Sequence, residues 1–121
     1  IDLVKKKVSK KNFLGIKINF YKGLFADNES RFRKKMRGKK IVIANIDCDL
    51  KESTTDALNI ISEFIDIGTI ILFDDYNAFK SDNNKGQRLA FIQFKTKSKF
   101  VFEKHFSYFM SGQSFLVVDK K

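Results

Sequence analysis

Four aspartates stand where their type and spacing could do chemistry. Asp47 and Asp49 directly follow the apolar run 41–46, and Asp74 and Asp75 directly follow the apolar run 69–73. In an open parallel sheet, ligands bind outside the carboxyl ends of the strands, so both pairs share one edge if these runs are parallel neighbours. Strand geometry continued through Asp49 points Asp47 and Asp49 to one side, because side chains two apart share a face. Four carboxylates gathered there repel one another, which raises some of their pKa values unless a cation neutralises them. Hard carboxylate oxygens suit Mg²⁺, Mn²⁺ or Ca²⁺ rather than zinc. Strand ends also carry Asp as a turn former; this accounts for Asp49 or Asp75 singly and poorly for two pairs on one edge.

Positioning these groups requires a strand, a helix and a second strand. The run 41–46 is broken only by Asn45, and Ala57, Leu58, Ile61, Phe64 and Ile65 then mark one helical face before the run 69–73. Ser53 with Asp56 three residues on resembles a capping box, and Gly68 stands where a left-handed cap would follow the helix. Continuous apolar runs predict central parallel strands covered on both faces. Upstream, the pattern predicts a short helix over 2–10, a strand over 16–21 and a basic helix over 29–36. Downstream it predicts a polar loop over 77–85 and a helix over about 87–95 with Ala90, Phe91 and Phe94 on one side. Alternation from Phe100 and the apolar run 114–118 complete the pattern as an antiparallel pair at the sheet edge. The class is α/β.

Composition narrows the function. The 121 residues are 43% hydrophobic and 31% charged, which fits one globular domain and excludes disorder as the main state. No uncharged apolar stretch approaches the roughly 20 residues of a bilayer span, and the basic N-terminus has no apolar signal core. With Cys48 as the one cysteine, the expectation is a cytoplasmic protein without disulfides. The net charge of +10 is uneven, since residues 1–40 hold 14 Lys and Arg against three acidic residues. No nucleic-acid reading motif accompanies those basic clusters, so a solvated helix face is the simpler account. A basic module that binds nucleic acid or another partner without catalysis is the alternative. His105 has no evident partner, and the aspartates flanking Cys48 oppose thiolate formation.

An apolar strand ending in Asp-x-Asp with a later Asp-Asp is similar to the haloacid dehalogenase-like phosphatases. Those need two further motifs on separate strands, however, and the interval from Asp49 to Asp74 holds one helix. The chain resembles the macrocin O-methyltransferase family more fully. The resemblance rests on Ile46-Asp47-Cys48-Asp49-Leu50, Glu52-Ser53-Thr54, Phe73-Asp74-Asp75-Tyr76, Gly86-Gln87-Arg88, and Lys22-Gly23-Leu24-Phe25 followed by Asp27. It implies a class I S-adenosylmethionine-dependent enzyme that methylates a hydroxyl of a sugar or glycosylated metabolite, with no membrane partner and a homo-oligomer among the forms open to the chain. It further implies that Asp47, Asp74 and Asp75 bind Mg²⁺ and that Asp49 is the general base. The fold it implies is a partial Rossmann-like sheet, mostly parallel with an antiparallel C-terminal hairpin. No two glycines lie closer than eight residues, so the Gly-rich turn of a cofactor-binding half is missing. Residues 1–121 are therefore expected to form one domain, strands three to seven of seven, as the C-terminal part of a larger methyltransferase domain. Such a part alone is expected to bind S-adenosylmethionine weakly or not at all.

Overall fold

A computed structural model describes Lys5, Lys6 and residues 15–121. Apart from Lys5 and Lys6, which are helical, the helix expected over 2–10 lies outside the described residues. The elements run α1 (Phe25–Met36), β1 (Ile43–Ile46), α2 (Lys51–Ile61), β2 (Ile70–Phe73), a short turn (Phe79–Ser81), α3 (Gly86–Lys97), β3 (Phe100–Tyr108) and β4 (Gly112–Lys120). The four strands form one sheet in the order β1-β2-β4-β3. β1 and β2 are parallel, with Ile46 opposite Phe73, while β4 runs antiparallel to both β2 and β3. The α/β class and the C-terminal hairpin are as expected, and the described sheet is mixed rather than mostly parallel because β4 lies between β2 and β3.

Helices α2 and α3 cover one face of the sheet. Leu58, Ala90 and Phe91 from the helices pack with Ile71, Phe73 and Phe115 from the strands. Phe91 sits 4.8 Å from Phe73 and 4.5 Å from Phe115 between ring centroids, and burying each such ring contributes about 1.5–3 kcal/mol. The opposite face is less covered, since Ile70 and Leu72 are only half-buried.

Four local expectations change. The segment 16–21 alternates like a strand but pairs with none of the described strands, and Ile16 is exposed. β1 is an edge strand among the described residues, with Val42 73% and Ile43 61% exposed, because β2 flanks it on one side only. Helix α2 begins at Lys51 after Leu50, so Ser53 lies inside it and forms no cap. Thr54 bonds back along the helix, its buried hydroxyl donating to Leu50 O at 2.9 Å, which caps no backbone N–H. Gly68, at φ +92°, serves the turn into β2 rather than the end of α2.

The basic residues of α1 are used within the fold. Arg33 pairs with Glu29 and with Glu63 of the segment after α2, each at 2.7 Å, and Arg31 lies over the Tyr21 ring at 5.4 Å. Arg33, Lys34 and Lys35 occupy the last turn, where cations complement the helix dipole. No described helix is long and apolar enough to cross a membrane.

Candidate carboxylate site

The register of β1 and β2 determines where the acidic pairs emerge. Ile46 faces Phe73 at the last rung, so the next residues, Asp47 and Asp74, leave the sheet side by side. One further ladder bond, from Asp74 N–H to Ile46 O at 3.2 Å, locks this alignment. The expected sharing of one carboxyl edge by the two pairs is therefore what the parallel register produces.

Asp49 and Asp75 meet directly. Asp75 Oδ2 is buried with no hydrogen-bond donor, and the Asp49 carboxyl lies within hydrogen-bonding reach of the Asp75 side chain. Two carboxylates cannot satisfy each other without a proton or a cation between them. Burial, then the Asp49 contact, then the charges of Asp49, Asp47 and Asp74 push the Asp75 carboxyl up to about 6. Asp47 and Asp49 are otherwise exposed, and Asp74 is half-buried. No group of three or more His, Cys, Asp or Glu side chains among the described residues stands in metal-holding geometry. The orphaned Asp75 oxygen and the purely oxygen donor set fit a hard divalent cation all the same.

Asp74 has a partner that sequence reading missed. The Tyr108 hydroxyl donates to Asp74 Oδ1 at 2.6 Å, and Ser111 Oγ donates to Asp74 O at 2.8 Å. Antiparallel pairing brings the β3–β4 tip level with the end of β2, where Phe73 faces Gln113 and Tyr108 faces Gly112. Gly112 is needed there because a Cβ would run into the Tyr108 ring. Burial, the Asp74 bond and the neighbouring carboxylates raise the Tyr108 phenol above its usual value, so it remains a donor. Tyr108→Phe removes this charge-assisted bond and is expected to cost about 1 kcal/mol, measured as a lower urea midpoint with unchanged slope. An unchanged midpoint would show that the hairpin tip is not held by Asp74.

Gln87 and Arg88 were visible only as part of a resemblance. On the first turn of α3, Gln87 is buried and bridges the two acidic loops, while Arg88 donates to Tyr76 O, Asn77 Oδ1 and Asn83 Oδ1. Arg88 also lies 4.8 Å over the Tyr76 ring, so one side chain organises much of the loop after Asp75. A hydrogen-bonding residue placed just after a glycine at a helix start was the available signal.

The remaining candidates stay quiet. Cys48 is half-buried against the core with Sγ 3.5 Å from Thr54 Oγ1, and burial, followed by the carboxylates around it, raises its pKa. His105 is exposed, with its ring beside Phe106.

Comparison with known proteins bears on the fold and the family. No curated protein sequence matches the chain. Similar solved structures include the O-methyltransferase NovP, at 18% identity and a TM-score of 0.73 over 97% of this chain and 44% of NovP. Another is CalS11, a TDP-rhamnose 3'-O-methyltransferase of calicheamicin biosynthesis, at 19% identity and a TM-score of 0.62 over 79% of this chain and 39% of CalS11. The chain spans less than half the length of either. These likenesses establish the shared fold, and the family model for macrocin O-methyltransferase (TylF) matches residues 1–101. With the sheet, the paired acidic loops and that match in agreement, the chain belongs to the macrocin O-methyltransferase family.

Proposed function

We propose that the chain is the catalytic C-terminal part of an S-adenosylmethionine- and Mg²⁺-dependent O-methyltransferase acting on a hydroxyl of a sugar or glycosylated small molecule. The observation that carries this reading is the buried, unpartnered Asp75 Oδ2 beside Asp49, on an edge shared with Asp47 and Asp74. Family membership supports the methyl donor, and the TDP-rhamnose acceptor in the name of CalS11 supports a sugar. Coverage of 44% and 39% of the two similar structures supports a place within a larger domain. A cytoplasmic location is part of the same reading, with Cys48 the one cysteine of the sequence.

Asp47, Asp74 and Asp75 would hold the cation, and Asp49 would act on the acceptor. When bound, Mg²⁺ supplies a positive charge that lowers the pKa of an alcohol. A carboxylate of ordinary pKa near 3.9 is otherwise a poor base for a hydroxyl. Asp49 is suited to receive the proton that the acceptor loses because it is exposed at the edge, whereas Asp74 is committed to Tyr108. S-adenosylmethionine supplies the electrophilic methyl group when bound. The fixed loops contribute orientation, which for a displacement on carbon is a large share of the available acceleration.

The test is methyl transfer from labelled S-adenosylmethionine by the complete protein to a panel of nucleotide sugars and glycosides. Transfer is expected to disappear in EDTA and return with Mg²⁺. Transfer that EDTA leaves untouched would remove the cation from the reaction, and no transfer to any hydroxylated acceptor would remove the sugar methyltransferase reading.

A further inference from the structure

Gln87 makes three hydrogen bonds, and together they join the exits of both parallel strands. Its side-chain Nε2 donates to Ile46 O and to Cys48 O, each at 3.0 Å, and its Oε1 accepts Asp75 N–H at 2.9 Å. The two accepting carbonyls border Asp47 on either side, and the donating amide belongs to Asp75 itself. At 1% exposure the side chain has no water to substitute for these partners. Only a primary amide supplies two N–H donors and one acceptor in this arrangement; a carboxylate would confront two carbonyl oxygens, and an alkyl chain would leave three polar groups unpaired. The helix beneath is seated closely, since Gly86 lies at φ +55° and a Cβ there would meet the Phe79 ring at 2.8 Å and Asp49 O at 3.6 Å.

We propose that Gln87 is a positioning residue: its amide sets the separation of the 46–49 loop from the 74–75 loop, and thereby the cation affinity of the carboxylates they carry. This inference rests on the cation reading above. It adds that the distance between the acidic loops is held by a neutral side chain on α3 rather than by the β1–β2 ladder alone, which contributes a single bond beyond the last paired residues, Asp74 N–H to Ile46 O. Residues that orient metal ligands without touching the metal commonly change its affinity 10- to 100-fold when replaced.

The experiment measures Mn²⁺ affinity by the loss of the free-ion paramagnetic resonance signal, with wild type, Gln87→Met, Gln87→Glu and the core control Phe91→Leu. Met keeps the length and volume, and Glu keeps the acceptor for Asp75 N–H. Both Gln87 variants are expected to bind Mn²⁺ about tenfold or more weakly, while Phe91→Leu loses stability and keeps wild-type affinity. Equal affinity in Gln87→Met and wild type, or an equal loss in Phe91→Leu, overturns the proposal and leaves Gln87 as packing. If Gln87→Met fails to fold, the wild type decides: Mg²⁺ is expected to shift the Gln87 side-chain amide resonances, and unmoved resonances overturn the proposal. Absence of Mn²⁺ binding by the wild type is a separate result that overturns the cation reading itself, and this inference with it.

Discussion

Asp49→Asn is expected to lower methyl transfer by about 10²- to 10⁴-fold, the usual contribution of a positioned general base, while Mg²⁺ affinity changes only a few-fold. Asn has the shape of Asp but takes up no proton in this pH range, so the acceptor hydroxyl loses its base. The variant's amide can donate to the Asp75 carboxyl beside it. The variant therefore keeps its packing and its remaining oxygen ligands. Single-turnover rates in the complete protein, together with calorimetric Mg²⁺ titration, separate the two quantities. Wild-type turnover would reassign the base, and a parallel collapse of Mg²⁺ binding would make Asp49 a ligand instead.

Asp75→Asn produces the opposite pattern, a gain in stability without metal and a loss of response to it. In the metal-free fold, burial and the neighbouring carboxylates raise the Asp75 carboxyl from 3.8 to about 6. The folded state thus holds more protons than the unfolded chain between these values, so this group's contribution to stability falls as pH rises from about 4 to about 6 and remains low above that. Asn carries no such penalty. In EDTA the variant is expected to melt above wild type at pH 7.5, with the difference closing as the pH approaches 4. Added Mg²⁺ raises the wild-type melting temperature by mass action and leaves the variant unmoved. A difference independent of pH would show that the ionisation of Asp75 is not what strains the metal-free site.

The repulsion at Asp75 is local. Nearby, Phe79, Lys80 and Ser81 all adopt positive φ, which costs non-glycine residues about 1–2 kcal/mol each. Arg88 and Gly86 over-determine that loop from both sides, through the Asn77 and Asn83 side chains and through the room left for the Phe79 ring. Such turns persist where surrounding structure holds them, commonly beside binding sites. Here they begin four residues after Asp75, in the loop that leaves the acidic pair.

Much of this was legible in the chain alone, because it depends on local rules. A continuous apolar run followed by Asp-x-Asp, one helical face, then a second run followed by Asp-Asp specifies parallel neighbours whose acidic ends share an edge, and the Ile46–Phe73 register places them so. The aromatic face of α3 and the antiparallel hairpin followed from periodicity in the same way. Capping misled at Ser53, since α2 begins two residues earlier at Lys51 and no side chain caps its first turn. The run 41–46 predicted a strand covered on both faces, yet an apolar run records what a strand can bury, not which neighbours stand beside it, and β1 has one among the described residues. The clasp of Tyr108 on Asp74 and the bridge of Gln87 from Ile46 and Cys48 to Asp75 join residues 34, 41, 39 and 12 positions apart. No period or spacing encodes such contacts. They exist because antiparallel pairing brings the hairpin tip level with the end of β2 and because the start of α3 packs beneath both strand exits, and only the assembled tertiary structure does either.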